Sequence, residues 1–189
     1  MRTAFSTALK WGWVAVVMLV MAWPAQGQTY QLATGAKVQF AVGFMFGTTT
    51  GVFEQVSGTA QIEGGQLRSV NAQVVCESVN SQRGDRDDHL RTDHFFDCDK
   101  FPTLNFESTK VHIMGSGTYR VTGNLTMRGI SHEVLLEGTL LASGNGYTFS
   151  ATGVVDRQKW QISWNQSASG RDLLIKDEVT LTLEGTLNR

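Results

Sequence analysis

The chain has 189 residues, of which 41% are hydrophobic and 17% are charged. This length suits one ordinary domain with its own core, and the apolar content is too high for a disordered chain. Sixteen Lys and Arg stand against 17 Asp and Glu, a balance that provides no basic field to attract nucleic acid. Two cysteines are too few for a miniprotein held together by disulfides.

The N-terminal segment has the pattern of a secretory signal. Arg2 and Lys10 form a positive start, and a mostly apolar run of 13 residues, Trp11 to Trp23, follows. This run is shorter than the roughly 20 residues needed to cross a bilayer. Ala25 and Gly27 are small residues at the spacing that a signal peptidase recognises.

We therefore predict a cleaved signal peptide at 1–27, a mature domain at 28–189 and a periplasmic location. A retained membrane anchor is the alternative. In an oxidising compartment Cys76 and Cys98 are expected to form a disulfide, which would stabilise the fold by about 3 kcal/mol. Two buried thiols are the other reading of this pair. Two cysteines so far apart do not supply the four ligands of a zinc site, and we predict no metal.

From Lys37 onward, apolar and polar residues alternate in block after block. The clearest block runs from Tyr119 to Met127, where the intervening residues are polar. Other blocks begin at Val38, Val56, Val70, Leu104, Ile130, Tyr147 and Val179. Successive side chains of a strand point to opposite faces, so each block predicts a strand with one apolar and one solvated face. About eight such strands predict an antiparallel all-β domain.

The alternation stops between Arg83 and Asp97. We interpret this segment as one or two short helical turns, with Asp85 or Asp87 capping the first. His89 and His94 lie among its carboxylates and could hold a divalent cation. The alternative, which we prefer, is a solvated helix whose arginines neutralise the acidic side chains.

One apolar stripe per strand allows two closures: two sheets packed face to face, or one sheet rolled into a barrel. A barrel of about eight strands is either filled by side chains or surrounds one small ligand. Small inward residues such as Ala72 and Gly123 would leave space. Trp160 and Trp164 share parity and either fill a core or line a cavity. From strand parity and side-chain size we predict that eleven residues line the cavity: Phe40, Val42, Phe44, Phe106, Val121, Leu125, Met127, Leu136, Phe149, Trp160 and Trp164.

Two stretches, RDDHLRTDHFFDCDKFPTLNFESTKV and VTGNLTMRGISHEVLLEGTL, resemble the YceI-like family of exported polyisoprenoid-binding proteins. The matching positions are Arg86, Asp87, His89, Leu90, Arg91, Phe95, Phe96, Pro102, Phe106, Ser108, Gly123, Leu125, Thr126, Arg128 and Gly129. The likeness extends over most of 30–187. It implies an eight-stranded, lipocalin-like antiparallel barrel with a short helical insertion around residues 84–97. It also implies an apolar pore for an isoprenoid or another long amphiphile, and no catalytic residue.

The function we expect is that of an exported carrier for one long apolar amphiphile, which is isoprenoid, quinone-like or fatty-acyl. Its partners would be that lipid and, transiently, a membrane, but no nucleic acid. The oligomeric state is left open, a dimer included. The alternatives are an enzyme with an acid–base or metal site at the mouth, built from Arg86, Asp87, His89 and His94, and an interaction module with a filled core. Common nucleophile, phosphate-binding and zinc motifs do not occur in the sequence, so we expect no enzyme.

Overall fold

The computed structural model describes residues 27–165 and 174–189. Residues 1–26 lie outside this part of the chain, so the signal peptide stays a prediction. Among the helices of the described residues, none has the length and apolar character that crossing a bilayer requires.

The described residues form eleven strands, one α-helix and two short 3-10 turns. The strands are β1 (Gln28–Leu32), β2 (Lys37–Phe44), β3 (Gly47–Phe53), β4 (Val56–Glu63), β5 (Gln66–Val75), β6 (Val79–Asn80), β7 (Thr103–Gly115), β8 (Thr118–Met127), β9 (Ile130–Ser143), β10 (Gly146–Asp156) and β11 (Glu178–Asn188). The helix α1 is Gly84–Arg91, and the turns are Cys76–Ser78 and Arg157–Trp160.

These segments close into one antiparallel ring of eight strands. β1 and β2 are the two halves of one bent strand, because both pair with β11: Leu32 lies opposite Leu187, and Val38 opposite Leu183. β3 and β4 form a second bent strand, paired with β2 and β1. The ring continues through β5, β7, β8, β9, β10 and β11, while the short β6 pairs with β3. The predicted antiparallel barrel is confirmed, and the two-sheet alternative is wrong.

The alternation predicted from sequence runs along the barrel wall. In β8, for example, Tyr119, Val121 and Met127 are buried, whereas Asn124 is exposed. Because apolar residues of one parity turn inward on each strand, the ring encloses an apolar interior.

Tyrosines pack one end of this interior. Tyr30 and Tyr147 meet edge to face with ring centroids 5.1 Å apart. The hydroxyl of buried Tyr119 accepts a hydrogen bond from the Leu67 backbone N–H at 3.4 Å. At the opposite end lies a second core cluster that includes Trp160 and the helix residue Leu90. The two ends of the barrel therefore differ in what they present to its interior.

The insertion at residues 84–97 consists of α1 followed by turns. Arg83 is the N-cap residue of α1, and its side chain makes no capping hydrogen bond. The prediction that Asp85 or Asp87 caps the first turn is wrong, because both lie inside the helix. Asp85 forms an ion pair with Arg83 at 2.8 Å. The buried carboxylate of Asp87 accepts the backbone N–H of Ser81 at 2.7 Å.

The insertion is fastened to the barrel by a disulfide and two arginines. Cys76 and Cys98 are bonded, with Cα atoms 5.4 Å apart, so the predicted pairing is confirmed. Arg91 donates to the Val79 carbonyl oxygen at 3.1 Å. From the turn between β8 and β9, Arg128 donates to the carbonyl oxygen of Phe95 at 2.6 Å. These links hold α1 and the turns after it at one end of the barrel.

Candidate ligand-binding cavity

The barrel encloses a cavity of about 950 Å³. Inward side chains of the strands form its wall, and Tyr119, Leu140 and Leu187 lie at the packed end. Polar groups of the insertion, including Arg86 and His89, line the other end, which we call the mouth. The volume is near the upper limit of typical small-molecule pockets.

Ten of the eleven predicted lining residues lie on the cavity wall. They are Phe40, Val42, Phe44, Phe106, Val121, Leu125, Met127, Leu136, Phe149 and Trp164. Nine belong to strands, where the two-residue period decides which face a side chain occupies. That these residues bind a ligand remains a prediction.

Trp160 is the exception and does not lie on the cavity wall. It ends the turn Arg157–Trp160, and Gln161 after it has a left-handed φ of 59°, so strand alternation does not apply here. The Trp160 side chain is buried, and its indole N–H donates to the Leu125 carbonyl oxygen at 3.2 Å. Its ring meets His132 edge to face at 5.3 Å. Trp160 therefore fills the core, which was one of the two roles left open by the sequence.

Three phenylalanines on the cavity wall lie over glycines of the neighbouring strand. The pairs are Phe40 over Gly51, Phe106 over Gly123 and Phe149 over Gly185. A Cβ atom added to these glycines would lie 2.7, 2.6 and 2.9 Å from a carbon of the paired ring. The missing side chains thus leave room for the rings against the wall. The small residues do create space, but aromatic rings occupy part of it and the cavity lies beyond them.

Trp164 and two histidines stack at the mouth. The Trp164 ring stacks on His94, with ring centroids 4.3 Å apart and an interplanar angle of 18°. His89 meets the Trp164 ring edge-on, with centroids 4.9 Å apart. His89 Nε2 and His94 Nδ1 are 2.9 Å apart. Burial, followed by the charge of His94, lowers the pKa of His89 below its usual 6.5. In the part of the chain that the structure describes, no three His, Cys, Asp or Glu side chains converge as a metal-binding group.

The four residues of the enzyme alternative divide into two separate pairs. Arg86 donates through Nε to the Ser81 hydroxyl oxygen at 2.7 Å and through Nη2 to the Ser81 carbonyl oxygen at 2.6 Å. The Asp87 carboxylate also binds Ser81, because it accepts hydrogen bonds from the backbone N–H and the hydroxyl group of Ser81. His89 and His94 bond to each other instead. Arg86 and Asp87 therefore attach α1 to the segment before it.

Sequence reasoning assigned no role to Arg157, the residue that holds Trp164 in place. Arg157 is 5% exposed, and its guanidinium group donates to the carbonyl oxygens of Ile162, Trp164 and Ile175 at 2.5, 3.1 and 3.1 Å. It also forms an ion pair with Asp177 at 3.1 Å. One arginine thus joins the chain on both sides of residues 166–173. The available signal was a single Arg between an apolar strand and two tryptophans.

The fold and the cavity place this chain among closed antiparallel β-barrels with an apolar interior. Residues 30–187 match the family model described as the YceI-like domain, and the chain belongs to this family.

Similar curated proteins are the UPF0312 proteins of Yersinia pestis (strain Pestoides F) and Yersinia enterocolitica, 35% and 34% identical over 122 residues. The match covers 61% of this chain and 61% of each relative, so it spans less than two thirds of the relatives' length.

Solved structures share the fold. Burkholderia cenocepacia BcnA superposes with a TM-score of 0.73 at 20% identity, covering 84% of this chain and 99% of BcnA. The Campylobacter jejuni YceI protein gives 0.66 at 23% identity, covering 75% and 85%. A polyisoprenoid-binding domain from Saccharophagus degradans, implicated in plant cell wall breakdown, gives 0.67 at 13% identity, covering 85% and 97%. At these identities the likeness establishes the fold.

Proposed function

We propose that this protein is an exported carrier that binds one long apolar molecule inside its barrel. The guest is an isoprenoid, a quinone-like molecule or a fatty-acyl chain, held for sequestration or transport. The observation that carries the proposal is the cavity of about 950 Å³, walled by apolar side chains of the strands. The Saccharophagus degradans domain of the same fold is described as binding a polyisoprenoid, which supports the isoprenoid class.

The wall favours an apolar guest over a polar one. Most of the strand side chains that line the cavity, such as Phe40, Val121 and Leu136, carry no hydrogen-bonding group. A polar guest would lose its water without gaining hydrogen bonds from these side chains, which is costly. Burying about ten methylene groups would contribute about 8 kcal/mol before the losses of association. Affinity would then come from the tail, and selectivity from its length and width.

The two ends of the cavity suggest an orientation for the guest. The packed end is formed by side chains such as Tyr119 and Leu140, and the mouth carries Arg86 and His89. An amphiphile entering tail first would keep its polar head beside these mouth residues and near water. We assign no catalytic step to the histidines, since they bond to each other and both pack against Trp164, His94 face to face and His89 edge-on.

Export is the second part of the proposal and rests on the pattern of residues 1–27. The disulfide between Cys76 and Cys98 supports it, because such bonds persist in oxidising compartments. Mass spectrometry of protein recovered from the periplasm of its host tests this part. A mature N-terminus at Gln28 is expected, and a mass that retains Met1 would contradict a cleaved signal.

Native mass spectrometry of the same material tests the carrier function, followed by solvent extraction and identification of any released molecule. Wild-type protein should carry one apolar guest. Adjacent residues of β8 provide a matched pair of variants, since Leu125 lies on the cavity wall and Thr126 borders a groove on the outer surface.

Leu125→Lys should lose the guest, and Thr126→Lys should keep it. Far-ultraviolet circular dichroism checks that both variants retain the barrel. Equal occupancy in the two variants, or a bare wild-type mass, would refute the proposal.

A further inference from the structure

The hairpin between β2 and β3 carries an exposed apolar tip beside the cavity. Residues 38–53 contain no charged side chain, although 17% of the whole chain is charged. At the tip, Met45 is 52% exposed and Phe46 is 78% exposed. Phe44, directly before them, lines the cavity. Isolated exposed apolar residues are ordinary on protein surfaces, but these two are adjacent and lie next to a residue of the cavity wall.

A second segment brings another exposed apolar residue to the same side. The Lys176 backbone N–H donates to the Gly43 carbonyl oxygen at 2.8 Å, so the chain around Lys176 runs beside the end of β2. Leu174, two residues earlier, is 54% exposed. The Ile175 backbone N–H donates to the Asn165 side chain at 2.6 Å, which ties this segment to the neighbour of Trp164. Apolar groups from two separate parts of the chain therefore border the mouth.

The charges in this region suit an approach to lipid. Two carboxylates near the mouth are matched by arginines: Asp85 with Arg83 at 2.8 Å and Asp177 with Arg157 at 3.1 Å. Lys176 is exposed next to the hairpin. Its alkyl stem packs over Gly43, which leaves the ammonium group able to reach lipid headgroups.

We propose that Met45 and Phe46 form a membrane anchor that places the mouth of the cavity on the surface of a lipid bilayer. The pairing of Phe44 with Gly47 closes a two-residue turn, so the hairpin can enter the interface with its backbone largely paired. The absence of charge along residues 38–53 avoids the cost of burying an ion in hydrocarbon.

A bilayer fits this surface better than a second copy of the chain. A stable protein interface buries about 800 Å² on each partner, far more than two side chains at a turn provide. A short apolar anchor with a neighbouring cation is sufficient for reversible membrane contact. The purpose of the anchor rests on the proposed carrier function, because it would let a guest pass between bilayer and cavity without crossing water.

Co-sedimentation with phosphatidylcholine vesicles, and with vesicles that also contain phosphatidylglycerol, tests the anchor. The protein is obtained by expression of the full chain, and its N-terminus is verified to be identical in all variants. Met45→Ser/Phe46→Ser should lower the partition coefficient onto vesicles about tenfold or more. The control, Leu135→Ser/Leu141→Ser, removes residues 44% and 55% exposed on β9 and should change it less than about twofold.

Guest retention without vesicles separates this proposal from the carrier function. The tip variant should keep its guest in native mass spectra, so a loss of vesicle binding alone supports the anchor. The anchor is overturned if wild-type protein does not sediment with either vesicle, or if tip and control variants bind equally. A tip variant that changes from dimer to monomer with unchanged vesicle binding would also overturn it, since the tip would then be a contact between copies.

Discussion

Replacing Gly51 by alanine should push an aromatic ring into the cavity. Gly51 on β3 lies opposite Phe40 on β2, and an added Cβ atom would lie 2.7 Å from Cε1 of that ring. Ordinary contacts begin at 3.4 Å, and the three nearest atoms to the added carbon all belong to Phe40. Phe40 already packs against Phe53 and Phe96, with ring centroids 5.8 and 6.4 Å away. The ring must therefore move inward or strain its neighbours.

Overpacking of this kind costs about 1–3 kcal/mol of the free energy of unfolding. For a protein of this size, that lowers the melting temperature by about 2–4 °C for each kcal/mol. The same movement should reduce the fraction of protein that retains a guest in native mass spectra. Thermal unfolding and native mass spectrometry on the same preparation measure both effects.

Two further variants test whether the Phe40 ring borders the cavity. Gly115→Ala places its Cβ atom in open space and should change stability by less than about 0.5 kcal/mol. Phe40→Leu combined with Gly51→Ala should cost less than the sum of the single changes, because the smaller side chain makes room for the new carbon. Strictly additive costs together with unchanged guest occupancy would show that the Phe40 ring does not border usable space.

Other parts of the structure give three more predictions. Cys76→Ser/Cys98→Ser should lower the free energy of unfolding in urea by about 3 kcal/mol, and a reductant should have the same effect on wild type but none on the variant. Since the pKa of His89 is lowered in the folded state, the protein should lose stability as the pH falls below about 6.5; His89→Gln should show a weaker pH dependence of its melting temperature, and an unchanged one would contradict this role. Arg157→Met should lower the free energy of unfolding by at least about 3 kcal/mol, because several carbonyl oxygens lose their donor. Arg120→Met removes a partly exposed arginine with one ion pair and should lower it by less than about 1 kcal/mol; similar values for the two variants would show that Arg157 does not brace the chain.

Much of the cavity wall was predictable because alternation along a strand is a local property. Leu125 and Thr126 are adjacent, yet their polarity alone indicates which faces the interior and which the outside. The same rule failed at Trp160, where a 3-10 turn and the left-handed Gln161 interrupt the extended chain. The cap prediction failed for another reason. The helix begins at Gly84, and Asp85 and Asp87 bind Arg83 and Ser81, which lie just before the helix and which the spacing of the acidic residues does not identify as partners.

The alternation of residues predicted eight of the eleven strands, their inward faces and the place where the helix interrupts them, since these depend on neighbours a few residues apart. It did not predict β1, β3 or β6 as strands. The sequence motifs also indicate the family. The alternation left open whether the strands close into a ring or form two sheets, and the fold shows the ring. The fold also places Phe40 over Gly51 and Arg157 against the chain around Trp164. These features depend on strand register and on contacts between distant segments. The volume and shape of the cavity follow from them, and no local pattern specifies either.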